Sequence, residues 1–227
     1  MTNYKIIDVE NWERRELFKL YTTDLKIVMN MTVDIDVTPV VRYVKSRGMR
    51  FYPTMIWIVS KIINAHEEFR YTLRDDGELW CWDYVSPNYT DFNPETGKFV
   101  KFATEYSPDL DTFHARAVAD CARYKWESGF ISDQPENFFD ITCMPWTRYK
   151  SFDLHVSGDT NKRMFPVVMW GRFEEENGRL IMPVTMNFNH AAGDGYNLCR
   201  FFEELKMEIS EFEGTNEDQY CSAEILL

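Results

Sequence analysis

The chain has 227 residues, a length that suits one domain with a substantial core. Hydrophobic residues make up 44% of the sequence and aromatic residues 16%, so the composition favours a packed globule over a disordered chain. Acidic residues outnumber basic ones by 37 to 25, and the formal net charge is −12. Nonspecific nucleic-acid binding is therefore not expected, because it depends on a broad basic surface.

The sequence carries no sign of a membrane or secretory protein. Its first residues lack the basic-then-apolar pattern of a signal peptide, and no run approaches the roughly 20 apolar residues of a membrane span. The five cysteines, at positions 81, 121, 143, 199 and 221, include no C-x-x-C pair. An odd number of scattered cysteines favours reduced thiols over a disulfide framework. We therefore expect a cytoplasmic protein that does not bind membranes.

Several enzyme signatures are missing from the sequence. It contains no G-x-S-x-G motif of serine hydrolases, no phosphate-binding P-loop and no dinucleotide fingerprint. The histidines, at positions 66, 114, 155 and 190, are widely separated and form no H-E-x-x-H motif, so we expect no metal site. The first three are expected to be structural or merely exposed, because histidine is intermediate in burial.

Hydrophobic periodicity predicts the elements of the first part of the chain. Residues 12–25 fit a helix of mixed charge, and apolar residues then alternate with polar ones from Ile27 to Ile35, which predicts a strand with one buried face. Thr38 and Pro39 are expected to begin a helix that ends near Gly48. A further helix begins at Pro53 and is apolar over much of its surface, which predicts burial.

Short β-rich segments and one helix follow. Asp76-Gly77 predicts a hairpin between residues 71–73 and 79–82, and residues 108–126 fit a helix. Strands are predicted over 138–143, 152–156, 167–174 and 179–188, the last two joined by a tight turn at Asn177-Gly178. The order predicts one α+β domain over 1–227, with a large mixed sheet covered by helices on one face. The polar tail after about residue 213 is expected to be loosely held.

The stretch 184–202 holds the best candidate for chemistry. An alternating strand pattern ends at His190, small residues follow, and the oxygen of Asp194 is placed to cap the helix that begins at Gly195. His190 has two interpretations. It is a structural histidine at a strand end, or a general base, since the unperturbed imidazole pKa lies near neutrality.

Several separated segments, in the same order, resemble the chloramphenicol acetyltransferases from residue 11 to about residue 213. The matching segments are 11–16, 51–53, 83–99 with Pro94-Glu95-Thr96, 144–146, 151–154 and 190–196. The resemblance implies a two-layer CoA-dependent acyltransferase-like fold and a homotrimer. It also implies direct attack of an acceptor hydroxyl on acetyl-CoA, with a histidine as base and an acceptor pocket built largely by the neighbouring subunit.

Carried over by position, the resemblance implies a role for specific residues. His190 would be the base, Thr142 would replace the family's oxyanion serine, and Asp194 would pair with Arg14 to support the loop. The implied acceptor-binding residues are Leu20, Tyr21, Leu25, Ile27 and Met29. The implied CoA-binding residues are Arg50, Tyr52, Trp146 and Arg172. The implied partners are acetyl-CoA as co-substrate and chloramphenicol as acceptor, with no metal.

Three positions differ from the family pattern. Asn189 replaces the first histidine of the usual pair, Met169 replaces a threonine that helps to hold an active-site water, and Met29 replaces an aromatic of the acceptor pocket. The alternatives are therefore an O-acetyltransferase for another small hydroxyl acceptor, and a noncatalytic relative that binds a small ligand. Retention of both a base and a hydroxyl donor favours an enzyme.

Overall fold

The computed structural model of the protein describes residues 3–132, 134–154 and 164–212. The helices are α1 (Arg15–Lys19), α2 (Thr38–Arg47), α3 (Phe51–Ala65), α4 (Leu110–Tyr124) and α5 (Gly195–Ser210). The strands are β1 (Tyr4–Ile7), β2 (Val28–Asp36), β3 (Tyr71–Leu73), β4 (Leu79–Trp82), β5 (Ser86–Asn93), β6 (Lys98–Ala103), β7 (Gly129–Phe130), β8 (Phe138–Met144), β9 (Val167–Gly171), β10 (Glu174–Glu176) and β11 (Arg179–Asn189). His155, Cys221 and the tail after residue 213 lie outside the described residues.

The strands form the large mixed sheet that the sequence predicts. Its order is β10-β11-β9-β8-β5-β6-β7, and β2 pairs with β11 beside this path. The pairs β5/β8, β8/β9 and β6/β7 are parallel, whereas β2, β9 and β10 run antiparallel to β11. The long central strand β11 therefore joins the beginning of the chain, through β2, to the parallel strands that follow.

The two faces of the large sheet differ in chemistry. Met31 and Ile35 of β2 and Met186 and Phe188 of β11 belong to, or pack against, the hydrophobic core. The alternate residues of the same two strands are polar, so Asn30 lies opposite Asn187 and Thr32 opposite Thr185. Strand side chains alternate between faces, so one face of the sheet is a core and the other offers hydrogen-bonding groups.

Helix α3 is the most buried element beside the sheet. Met55, Ile56, Ile58 and Val59 are almost wholly buried, and the helix contacts α2, α4, α5 and β5. At about 1.5–3 kcal/mol for each large apolar side chain, burial of this helix is a major part of the driving force for folding. The predicted buried helix is therefore present, although it begins at Phe51, two residues before Pro53.

Two tight turns have the predicted positions. Gly77 has a φ of 91° in the β3–β4 connection, and Asn177 and Gly178 have φ of 53° and 79° between β10 and β11. Consecutive residues with positive φ are typical of the hairpin turns that match strand twist. The hairpin β3/β4 joins β1 in a separate three-stranded sheet, whose order β1-β4-β3 was not predicted.

Several predicted boundaries are wrong. Residues 151–154 form no strand, and the rest of the predicted strand 152–156 lies outside the described residues. The predicted strand 167–174 is interrupted at Arg172 and Phe173, between β9 and β10. The first helix begins at Arg15 and ends in a π-helical turn, Leu20–Asp24. Helix α2 begins at Thr38 as predicted, and Val37 precedes it without a capping side chain. Instead, the Oδ1 atom of Asp36 accepts from the backbone N–H and the hydroxyl of Thr38.

The cysteines of the described segments differ in exposure. Cys81 is buried, Cys121 and Cys143 are half-buried, and Cys199 is exposed on α5. Burial raises the pKa of Cys81 to about 11 and the pKa values of Cys121 and Cys143 to about 12. No helix among residues 3–132, 134–154 and 164–212 is long and apolar enough to cross a membrane.

Candidate active site

His190 lies on a tight turn between β11 and α5. We call residues 189–194 the histidine loop. The side-chain oxygen of Asn189 accepts from the N–H of Ala191 at 2.9 Å, and its carbonyl accepts from the N–H of Ala192 at 3.0 Å. A Cβ atom on Gly193 would lie 2.6 Å from the ring of Phe188, so only glycine fits there. Asn189 therefore stabilises the turn itself.

The histidine loop fixes the imidazole of His190. Its Nδ1 atom lies 2.9 Å from the carbonyl oxygen of Gly193, and its backbone N–H donates to the carbonyl of Ile27 at 3.0 Å. Because a carbonyl oxygen only accepts hydrogen bonds, Nδ1 carries the proton and Nε2 carries the lone pair. The ring of Tyr21 stacks on the imidazole with centroids 4.0 Å apart. The fixed tautomer presents a proton acceptor at Nε2.

Arg14 ties the histidine loop to the beginning of the chain. Its guanidinium donates to the carbonyls of His190 at 2.8 Å and Ala191 at 3.2 Å, and to the carboxylate of Asp194 at 3.2 Å. The Arg14 side chain is 15% exposed, whereas that of Asp194 is 44% exposed. Asp194 also caps α5 by accepting from the N–H of Tyr196 at 3.1 Å. Arg14 is therefore mainly an anchor for backbone carbonyls, and its ion pair with Asp194 is one of three contacts.

The predicted acceptor-binding residues surround this loop. Tyr21 and Met29 pack against the hydrophobic core, while Leu25 and Ile27 are exposed apolar side chains, and Leu20 is half-buried. Val28, the first residue of β2, is also exposed. An apolar surface of this kind beside a histidine is typical of an interaction or ligand site.

Thr142 lies elsewhere, on the polar face of the sheet. A cleft of about 260 Å³ opens beside it, and we call this the threonine cleft. Its lining residues are Thr90, Lys101, Asp140, Ile141, Thr142, Met144, Phe152, Leu154 and Val167. Thr142 is half-buried and pairs with Met169, which is fully buried. Met169 therefore fills the space beside Thr142, where a small polar side chain would leave room for water.

The predicted CoA-binding residues lie on both faces of the sheet: Tyr52 packs on the core residues Tyr89 and Trp170, while Trp146 lies on the face of the threonine cleft. The hydroxyl of Tyr52 donates to the carbonyl of Thr90 at 3.0 Å, and burial raises its pKa well above the ordinary value. Trp146 is half-exposed and contacts Phe92 and Phe99 edge-on. The N–H of Arg172 donates to the carbonyl of Thr147, next to Trp146.

Arg50 and Arg172 are brought towards each other by their neighbours in sequence. The rings of Phe51 and Phe173 are in contact, with centroids 5.5 Å apart. Arg50 precedes α3, and its backbone N–H donates to Nε2 of His114 at 2.9 Å. The Arg172 guanidinium pairs with Glu174 at 2.6 Å. Both arginines are exposed, and Arg50 lies at the N-terminus of α3.

One charged pair in the threonine cleft was not predicted from the sequence. Lys101 of β6 pairs with Asp140 of β8 at 2.8 Å, and the amide of the buried Asn88 on β5 donates to the same carboxylate at 2.8 Å. The three residues are far apart in sequence and form no motif. Only the strand order β8-β5-β6 brings them together.

The two parts of the candidate site are far apart within one chain. Thr142, Met169 and Thr185 lie side by side on β8, β9 and β11. His190 follows Thr185 along β11 by about five residues, so with a rise of about 3.4 Å per residue and about 4.8 Å between strands, roughly 20 Å separates it from Thr142. A single reacting group therefore cannot contact both residues of the same chain.

Comparison with solved structures identifies the fold. The described chain superposes on a chloramphenicol acetyltransferase with a TM-score of 0.83 and 23% identity, covering 91% of this chain and 100% of the other. It also superposes on the dihydrolipoamide acetyltransferase of Azotobacter vinelandii with a TM-score of 0.62 and 15% identity, over 81% of this chain and 82% of the other. The fold is that of the acyltransferase cores.

Comparison of sequences identifies the family. The sequence model of the chloramphenicol acetyltransferase family matches residues 2–206. The chain is 33% identical to chloramphenicol acetyltransferase 3 of Escherichia coli, over 90% of this chain and 96% of the relative. It is 29% identical to the chloramphenicol acetyltransferase of Clostridium perfringens, over 92% and 96% of the two chains. The protein belongs to the chloramphenicol acetyltransferase family and is an acetyltransferase.

Proposed function

We propose that the protein transfers an acetyl group from acetyl-CoA to a hydroxyl of chloramphenicol, with His190 as the general base. The observation that carries this proposal is the hydrogen bond between Nδ1 of His190 and the carbonyl of Gly193. It leaves Nε2 to take the proton of the acceptor hydroxyl while the hydroxyl oxygen attacks the thioester carbonyl. When the tetrahedral intermediate breaks down, the carbon–sulfur bond breaks and the imidazolium returns the proton to the leaving thiolate.

Thr142 is the proposed donor to the negative oxygen of the tetrahedral intermediate. Its hydroxyl is a hydrogen-bond donor on a rigid strand, half-buried at the threonine cleft. Threonine keeps the donor of the family's serine and has fewer side-chain conformations. Arg50, Tyr52, Trp146 and Arg172 are the proposed CoA-binding residues. The two arginines suit phosphate groups, and the exposed face of Trp146 suits the apolar arm or base of the coenzyme.

We further propose a cyclic homotrimer with three interfacial sites. The separation of roughly 20 Å between His190 and Thr142 in one chain supports this proposal, because a second chain can place its Thr142 opposite the first chain's His190. The exposed apolar residues Leu25, Ile27 and Val28 beside His190 are suited to burial in such an interface. Sedimentation of the purified protein tests the assembly, and an active monomer would disprove it.

A second candidate is acetyl transfer to a different small hydroxyl compound. The ion pair between Lys101 and Asp140 favours it, because this pair lies in the cleft and offers hydrogen bonds to acceptors with more than one hydroxyl, of which chloramphenicol is only one. A noncatalytic relative that binds a small ligand is a third possibility, and it has no reason to fix the tautomer of His190.

A thiol-release assay with acetyl-CoA separates these candidates. Acceptor-dependent release of free CoA with chloramphenicol supports the leading proposal. If free CoA is released with another alcohol and not with chloramphenicol, the proposed mechanism stands and the acceptor is a different compound. Tight binding of acetyl-CoA or of a hydroxyl compound without any release would leave only the noncatalytic function.

A further inference from the structure

The threonine cleft contains a charged pair that the proposed chemistry does not use. Lys101 and Asp140 pair at 2.8 Å, and their side chains are 33% and 23% exposed. Both line the cleft beside Thr142. Asp140 precedes Thr142 by two residues on β8, so their side chains lie on the same face, roughly 7 Å apart. A ligand that reaches Thr142 therefore also meets this pair.

The buried side-chain amide of Asn88 supports the Lys101–Asp140 pair. Asn88 is fully buried and donates to Asp140 at 2.8 Å, which holds the carboxylate in place. Among the described residues, the side-chain oxygen of Asn88 has no hydrogen-bond partner. Burial of a polar atom without a partner costs free energy. The protein therefore bears a desolvation cost at Asn88, and in return the amide nitrogen holds the carboxylate of Asp140 in place.

The chemistry of the pair selects against apolar ligands. An apolar ring placed on Lys101 and Asp140 would remove water from both charges and return no hydrogen bond. A hydroxyl group suits the same position, because it donates to the carboxylate of Asp140 and accepts from the ammonium of Lys101. A hydroxyl that binds there is additional to the one that is acetylated.

We propose that Lys101 and Asp140 determine acceptor specificity, and that the acceptor is a polyhydroxyl compound whose second hydroxyl hydrogen-bonds to both side chains from the open side of the cleft. This inference rests on the proposed acetyltransferase function and names its substrate class. Chloramphenicol, a diol, falls within the class, as do sugars and other polyols. A monohydric alcohol leaves the pair without a ligand partner, and sites built to bind a hydroxyl reject analogues that lack it.

The test compares matched acceptors on the full-length protein. Phenylethanol and phenylethylene glycol differ by one hydroxyl and are assayed by thiol release together with chloramphenicol and a panel of sugars. The double variant Lys101→Met/Asp140→Leu keeps side-chain volume and removes both charges together. The control Lys125→Met/Glu95→Leu removes an ion pair of the same 2.8 Å length outside the threonine cleft.

For the natural protein, we expect kcat/KM to be about tenfold to a hundredfold higher for the glycol than for phenylethanol. The Lys101/Asp140 variant should lose this preference through a higher KM for the glycol, while the KM for acetyl-CoA stays unchanged. The control variant should keep the preference. An equal loss of activity towards both alcohols would indicate a structural role only and would overturn the inference, as would an unchanged preference.

Direct binding keeps the inference separate from the proposed function. Calorimetry with the protein saturated with CoA measures the affinity for each polyhydroxyl compound without turnover. Weaker binding to the Lys101/Asp140 variant, without any acetyl transfer, would support the specificity site and disprove the catalytic proposal. If no polyhydroxyl compound binds the natural protein, the inference is wrong whether or not a monohydric alcohol is acetylated. Asp140→Asn, which keeps the shape of the side chain, replaces the double variant if that variant does not fold.

Discussion

The histidine loop and the threonine cleft differ in how their polar groups are used. In the histidine loop, the carbonyls of residues 189, 190, 191 and 193 all accept hydrogen bonds within the chain. In the threonine cleft, the hydroxyl of Thr142 and the Lys101–Asp140 pair line about 260 Å³ of open space. The hydrogen bonds of the loop are made within the chain and orient one imidazole, whereas the polar groups of the cleft face open space that a ligand can occupy.

In the proposed interfacial site, each chain contributes two half-sites to two different active sites rather than one complete site. The histidine loop is the proposed source of the base, and the threonine cleft is the proposed source of the acceptor pocket and the hydroxyl donor. Changes to the loop should therefore affect the rate of the chemical step, while changes to the cleft should affect both binding and rate.

The largest effect is expected for His190→Ala. Loss of the general base should lower kcat by roughly a thousandfold or more. Because Arg14 holds the carbonyl rather than the ring of His190, the loop should keep its fold. Calorimetry should find acetyl-CoA affinity unchanged, since the proposed CoA residues lie outside the histidine loop. Near-normal turnover in this variant would show that His190 is structural.

Mixing two inactive variants tests whether the halves come from different chains. Co-expressed His190→Ala and Thr142→Val subunits should form some interfaces that pair an intact histidine loop with an intact threonine cleft. Random assembly would make roughly a quarter of the sites complete. Recovery of about a quarter of the natural activity would support the interfacial site. No recovery, with mixed oligomers verified by mass spectrometry, would place both residues of each site in one chain.

Thr142→Val should lower kcat by about a hundredfold, because it removes one donor to the oxyanion and keeps the side-chain shape. Thr90→Val is the matched control, since Thr90 lines the same cleft and has no proposed part in the reaction. An unchanged rate for Thr142→Val would mean that another donor holds the oxyanion.

Arg14 and Asp194 should differ in their effects on stability. Arg14→Met leaves two backbone carbonyls of the loop without their donor, and we expect a loss of about 2–4 kcal/mol together with lower kcat. Asp194→Asn keeps the helix cap and removes a half-exposed charge, which should cost under about 1 kcal/mol. Denaturant unfolding measures both. Equal losses would contradict the anchoring role of Arg14.

The smallest effect concerns His114 of α4, which lies beside Arg50. Burial lowers the pKa of His114, and its Nε2 atom accepts from the N–H of Arg50. A lowered folded pKa means that the unfolded chain binds the proton first, so stability should fall as pH drops below about 6.5. His114→Gln keeps an acceptor and cannot titrate. Its melting temperature should therefore fall less than that of the natural protein between about pH 7.5 and about pH 5.5.

Local structure was predictable wherever a few neighbouring residues determine it. Alternation in β2, the Asn177-Gly178 turn and the Asp194 cap follow from side-chain direction, positive φ and one hydrogen bond. Residues 152–154 were misassigned because the alternation of apolar and polar residues in Phe152-Asp153-Leu154 is also typical of a strand. In the structure, the carbonyl of Phe152 accepts from the side chain of Asn30 instead of a strand partner.

Long-range placement was not predictable from these rules. The strands β2 and β11 pair although Asn30 and Asn187 are 157 residues apart (187 minus 30), and no local signal indicates that pairing. The roughly 20 Å between Thr142 and His190 and the meeting of Lys101 with Asp140 both depend on strand order. Residue types therefore suggested which side chains take part in chemistry, while the sheet decided which of them share a site.

The uneven burial of the thiols makes the histidine loop accessible to spectroscopy. Thiolates react and thiols do not, so the raised pKa values of Cys81, Cys121 and Cys143 slow their alkylation at neutral pH. Cys199 is exposed on α5, about one turn after the Asp194 cap. In a Cys221→Ser background, the fluorescence of a maleimide dye on Cys199 would report changes in the conformation of the histidine loop over time, without any acetyl transfer.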